Sequence, residues 1–153
     1  YFKKNISGAT KAGIKVGLYF FTQAVNEAEA VEEASMAMSL ASGYKVTYPI
    51  FIDTESASNG RANGLSKSAR TAVVKAFCQT VRNGGYKAGV YASKSWYANQ
   101  LNASALNGYC IWVAQYNSSC TYSEKYDMWQ YSSKGSVSGI KGNVDMNISY
   151  TGY

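Results

Sequence analysis

The run Tyr48-Pro49-Ile50-Phe51-Ile52-Asp53-Thr54-Glu55 constrains this chain more than any other. Ile and Phe without alternation read as a strand buried on both faces, which belongs to a sheet covered by helices. Two acids two residues apart do not belong in such a strand, because charge there costs desolvation energy unless it has a task. Paired carboxylates are the equipment of glycoside hydrolysis, one as acid and the other as base, nucleophile or electrostatic partner. The chain offers few competitors. It has no His and only nine acidic residues, four of which (Glu27, Glu29, Glu32, Glu33) crowd one predicted helix.

The other bounds are broad. At 153 residues, 46% apolar and 16% charged, the chain has length for one domain, 1–153, with a core. The 14 Tyr, 3 Trp and 5 Phe mostly fill that core, although Tyr and Trp also suit sugar rings. The net charge of +6 is scattered, with no basic run. That argues against a nucleic-acid partner; a diffuse positive field would favour a polyanion such as an acidic cell wall, but a solvated surface is the preferred reading over a dedicated site. No stretch of 18 apolar residues is present, so no membrane span is expected. The absence of His removes Ser-His-Asp and Cys-His catalysis. Without His or a C-x-x-C pair, no metal site is expected, and no cofactor is called for. Cys110 and Cys120 flank a polar loop between strands expected to be neighbours, and the expectation is a disulfide; Cys78 reads as a small buried residue of a helix.

Strands and helices alternate along the chain. Strands are predicted over Lys15–Phe21, Tyr48–Asp53, opened by Pro49 where a missing N–H is tolerated, and Lys87–Tyr91. Asn26 should cap a helix reaching about Leu40, with Glu29 as its capping-box partner. A second helix is predicted over Ser66–Arg82, buried along Ala69, Ala72, Val73, Ala76, Phe77, Thr80 and Val81. A short helix is expected near Ser95–Leu101. The last third holds strands alone: Tyr109–Tyr116, Tyr126–Tyr131 and Asn143–Ile148. Alternating β and α predicts a parallel sheet with helices outside, as a barrel or an open doubly wound sheet. The absent G-x-G-x-x-G weakens the dinucleotide version of the latter.

Side chains alternate along a strand. With Asp53 inward, the same face carries Tyr19, Phe21, Phe51, Tyr91, Trp112, Tyr116, Gln130, Asp145 and Asn147. The opposite face carries Leu18, Phe20, Ile50, Ile52, Val90, Ile111 and Val113, which outer helices would cover. The first set suits a barrel mouth that grips a sugar. Asp53 and Glu55 stand about 6.6 Å apart along one face. Such a pair raises one partner's pKa, and burial raises it further. Glu55, longer and nearer the strand's end, is assigned the acid; Asp53 is expected to stay ionised and stabilise positive charge. Asp145 is a third candidate.

Ile50 to Glu55, Ile111-Trp112-Val113-Ala114-Gln115-Tyr116, Met128-Trp129-Gln130-Tyr131, Val144-Asp145-Met146-Asn147, Gly17-Leu18-Tyr19-Phe20-Phe21 and Gly89-Val90-Tyr91 together resemble the strand signatures of glycoside hydrolase family 25. These are the Chalaropsis-type lysozymes, N-acetylmuramidases of bacterial and phage cell-wall lysis. The resemblance implies a TIM-like β/α barrel with fewer helices than strands. It implies hydrolysis of the β-1,4 bond after N-acetylmuramic acid in bacterial peptidoglycan, by a secreted or wall-associated enzyme. It makes Glu55 the proton donor, Asp53 its partner and Asp145 an active-site carboxylate. The family begins with a strand that carries a further Asp, then a helix and a second strand. Tyr1-Phe2-Lys3-Lys4-Asn5 resembles the run that follows them. The expectation is therefore an N-terminally incomplete catalytic domain with six of eight strands, whose open edges would make it unstable alone. Two other readings stand beside this one: a non-catalytic wall-glycan-binding module, and a barrel glycosidase acting on chitin-like polymers.

Overall fold

The computed structural model describes residues 1–153. Four helices and six strands follow one another as α1 (Phe2–Lys11), β1 (Val16–Phe21), α2 (Glu27–Ala41), β2 (Val46–Asp53), α3 (Lys67–Asn83), β3 (Ala88–Ser93), α4 (Lys94–Gln100), β4 (Cys110–Ala114), β5 (Met128–Gly135) and β6 (Val144–Ser149). The strands form one curled sheet in chain order, β1 to β6, with β1 and β6 as its two edges. This is part of a TIM-like barrel with fewer helices than strands.

Helix starts follow local chemistry. The Asn26 side chain accepts from the Glu29 N–H at 2.9 Å, and Ser66 accepts from Ala69 N–H at 3.2 Å. The return arm of the expected capping box lands one residue early: Glu29 accepts from the Val25 N–H at 3.0 Å instead of from Asn26. Ala30, Ala34, Ala37 and Ala41 form a buried small-residue stripe on α2, which lets it lie close against α3. The buried side of α3 is rotated from its predicted face and includes Arg70, Thr71, Val74 and Cys78 besides Val73, Phe77 and Val81. Ile50, Ile52, Val90, Ile111 and Val113 meet these helices in the core, with Leu18 and Phe20 packed beside them. Each such Ile or Val contributes roughly 1.5–3 kcal/mol by leaving water.

Three expectations change. Pro49 does not open its strand, which begins at Val46. It lies where the β1–β2 register slips between Val16↔Val46 and Leu18↔Ile50, an irregularity that tolerates a missing N–H. The sheet is not wholly parallel: β5 and β6 are antiparallel. And all three cysteines are free. β4 and β5 are parallel, so the chain between them is a crossover and not a hairpin. Cys110 opens β4, a strand's length before that crossover begins, and its Sγ meets the Tyr153 hydroxyl at 2.9 Å. Cys120 packs against the core instead.

One glycine shapes the inner face. A Cβ on Gly89 would meet the Phe51 ring at 2.4 Å, so only glycine leaves room for that ring across the β2–β3 pair.

Candidate active site

Parallel strands deliver their carboxyl ends to one rim. β2 ends at Asp53, and its register places Phe21 of β1 and Tyr91 of β3 beside that residue. Tyr91 in turn lies beside Trp112 of β4. Asp145 comes from the other direction. It sits at the start of β6, not at a carboxyl end, and reaches the same rim because β6 runs antiparallel to β5.

A pocket of about 150 Å³ opens there, lined by Tyr19, Asp53, Glu55, Tyr91, Trp112, Gln130 and Asp145. All seven lining residues were named from the sequence. The remaining three named residues stand around it. Tyr116 donates its hydroxyl to Gln130 Oε1 at 2.8 Å, and Asn147 Oδ1 accepts from Trp112 Nε1 at 2.9 Å. Phe21 is exposed on the rim at the end of β1.

The walls are braced. Trp112 sits edge-on between Phe51 and Tyr91, with ring centroids at 5.0 and 4.7 Å. Tyr91 also donates to Gln130 Oε1 at 2.8 Å, so two phenols converge on one amide oxygen of a buried side chain. Both indole and amide are thereby held before any ligand arrives. Sequence reasoning missed Trp96. Its Nε1 donates to Thr54 Oγ1 at 3.2 Å, which pins the residue between the two carboxylates. The Arg70 guanidinium lies over the same indole at 4.8 Å from its centroid. A Trp three residues beyond a strand end was the available signal.

No cation lines the pocket to neutralise its three acids. Asp53 is buried, and its Oδ1 has no hydrogen-bond partner. Burial first, and then the charge of Glu55, push its carboxyl from 3.8 up to about 7. Glu55 stands exposed at the rim. Partial burial, and then the charge of Asp145, also raise its pKa. Asp53, expected to stay ionised, is thus the carboxyl whose ionisation is most strongly opposed. Asp53 therefore retains its proton toward neutral pH, and Glu55 holds its own above the usual carboxylate range.

The sequence model described as "Glycosyl hydrolases family 25" matches residues 1–140. The chain belongs to glycosyl hydrolase family 25. The autolytic lysozyme of Clostridium acetobutylicum is 29% identical over 95% of this chain and 43% of its own length. The protein YegX of Escherichia coli O157:H7 is covered over 53%, so the chain spans about half the length of the curated relatives it matches. A family 25 glycosyl hydrolase from Bacillus anthracis superposes with a TM-score of 0.82 at 26% identity, over 99% of this chain and 71% of that one. The modular autolysin LytC of Streptococcus pneumoniae, solved with a synthetic peptidoglycan ligand, superposes with a TM-score of 0.81 at 25% identity, over 94% and 36%.

Proposed function

We propose that this chain carries the carboxylate mouth of a peptidoglycan hydrolase that cleaves the β-1,4 bond between N-acetylmuramic acid and N-acetylglucosamine. The observation that carries the reading is the convergence of Asp53, Glu55 and Asp145 in one pocket walled by Tyr19, Tyr91 and Trp112. Family membership, a relative named an autolytic lysozyme and a neighbour solved with a peptidoglycan ligand support it. Autolysins act on the wall, so the proposed place of action is secreted or wall-associated.

In this mechanism Glu55 protonates the glycosidic oxygen, because it is the longest carboxyl and stands at the rim where the bond would lie. Asp53 lies deeper, and partial burial with the charge of Asp145 favours the protonated form that Glu55 needs as an acid. Once ionised, Asp53 and Asp145 face the sugar's developing positive charge in a pocket without a competing cation. Tyr19, Tyr91 and Trp112 offer apolar faces to sugar rings, and Gln130 offers its amide to a polar substituent. Phe21, Tyr116 and Asn147 support that grip from the rim and from behind it.

A pure binding module has no use for buried Asp53 beside Glu55, since an unpartnered buried carboxyl costs stability. The test is digestion of purified peptidoglycan followed by reduction and analysis of the new ends. Muramic acid ends are expected. Glucosamine ends would favour the chitin-type reading, and no new ends would favour the binding module. Glu55→Gln should lower the rate by about 10²–10⁴-fold with folding unchanged.

A further inference from the structure

A second cavity of about 380 Å³ lies at the foot of the sheet, where the strands begin. Its cations are Arg82 at the end of α3, Lys87 just before β3 and Lys125 in the β4–β5 crossover. The single ion pair of the protein joins Arg61 to Glu29, so none of these three cations has a carboxylate partner. The one acid in the cavity, Asp127, is already engaged. Its Oδ2 accepts from the Ile111 N–H at 2.9 Å and its Oδ1 from the Thr151 hydroxyl at 3.4 Å. Two of the cations are held in place by aromatic rings. The Arg82 guanidinium lies 4.3 Å from the Tyr109 centroid, and Lys87 Nζ lies 4.8 Å from that of Tyr153. Arg82 also donates to the Gly108 carbonyl, which leaves the rest of its planar fork for an anion.

This arrangement alternates fixed positive charge with apolar ring surface in a space open to solvent. We propose that the foot cavity binds a phosphate-bearing polyanion, in which charged phosphodiesters alternate with polyol or sugar linkers. The phosphates meet Arg82, Lys87 and Lys125, and the linkers pass along the half-buried edges of Tyr109 and Tyr153, whose faces hold the cations. A lone carboxylate would leave most of the cations and the rings unused. The site faces away from Glu55 and is independent of the hydrolytic reading.

The test is titration of the protein with soluble poly(glycerol phosphate) of defined length at low and at physiological salt. Lys87→Ala/Lys125→Ala should weaken binding by about tenfold. Lys3→Ala/Lys4→Ala removes the same charge from α1 and should weaken it by less than about twofold. Lys87→Arg/Lys125→Arg should retain binding, and so should Glu55→Gln, whatever becomes of hydrolysis. Equal weakening by the two Ala pairs would reduce the site to diffuse charge and overturn the proposal, as would no binding. Inorganic phosphate and phosphatidylglycerol vesicles separate the sources. If either binds through these lysines as tightly as the polymer, the polymer assignment falls.

Discussion

On β2, Ile50 and Ile52 point outward and are fully buried against α3 and its neighbours. Phe51 and Asp53, one step along the same backbone, point inward, and Asp53 enters a pocket with an unpartnered oxygen. The outward set is aliphatic and contributes to stability by leaving water. The inward set is aromatic and acidic, and near neutral pH its buried Asp53 costs stability. A strand's period of two therefore lets one segment serve both tasks. The difference teaches that burial alone does not identify a core: Asp53 is about as buried as Trp129, at 6% and 7% exposed, yet its chemistry opposes its surroundings.

The largest effect that sharpens this contrast is on the outward side. Phe77→Ala should cost about 3–5 kcal/mol, because the ring is wholly buried in the helix–sheet core. Urea denaturation measures it, and a cost below about 1 kcal/mol would mean that the core re-packs freely. Next comes pH. As the proposed acid, Glu55 must hold its proton, and partial burial with the charge of Asp145 raises its carboxyl, so wall lysis should fall as pH rises past that raised carboxyl. A rate profile that stays level to pH 9 would break the assignment of Glu55 as the acid. The smallest effect concerns the brace between the faces. Trp96→Phe removes the hydrogen bond to Thr54 and should cost about 1 kcal/mol. It should lower lysis more than it lowers substrate binding, by letting the segment between Asp53 and Glu55 drift.

Much of this was legible because a period-two pattern shows itself in few residues. Ile50 to Asp53 and Gly89 to Tyr91 disclosed both faces of the sheet, and Asn26 with Glu29 disclosed a helix start. What stayed hidden depends on distant parts of the chain. Helix α1 was not foreseen: its apolar stripe is only Phe2, Ile6 and Ala9, and of these only Ile6 is buried. The direction of β6 is set by pairing with β5, so the antiparallel run that brings the start of this strand, with Asp145, to the mouth was not legible. The crossover after β4 likewise separates Cys110 from the loop it was thought to flank. Trp96 acts through a hydrogen bond to a residue 42 positions away, which no local pattern records.

The most direct test compares neighbours on β2. Ile52→Ala and Asp53→Asn are made separately, and thermal stability at pH 3.5 and pH 8 is measured beside wall lysis at pH 5. An acid with a folded pKa above its unfolded value binds its proton more tightly when folded. The stabilisation linked to Asp53 is therefore fully present below pH 3.8 and is lost as pH rises through about 7. Asp53→Asn should thus leave stability little changed at low pH and raise it at pH 8. The gain should be about 1–3 kcal/mol after allowance for water at the mouth, with lysis largely lost. Ile52→Ala should cost about 2–5 kcal/mol at both pH values, with lysis retained in the molecules that remain folded. If Asp53→Asn instead destabilises the protein at pH 8 as Ile52→Ala does, the inward carboxyl is a structural group and the two faces do not divide their tasks in this way.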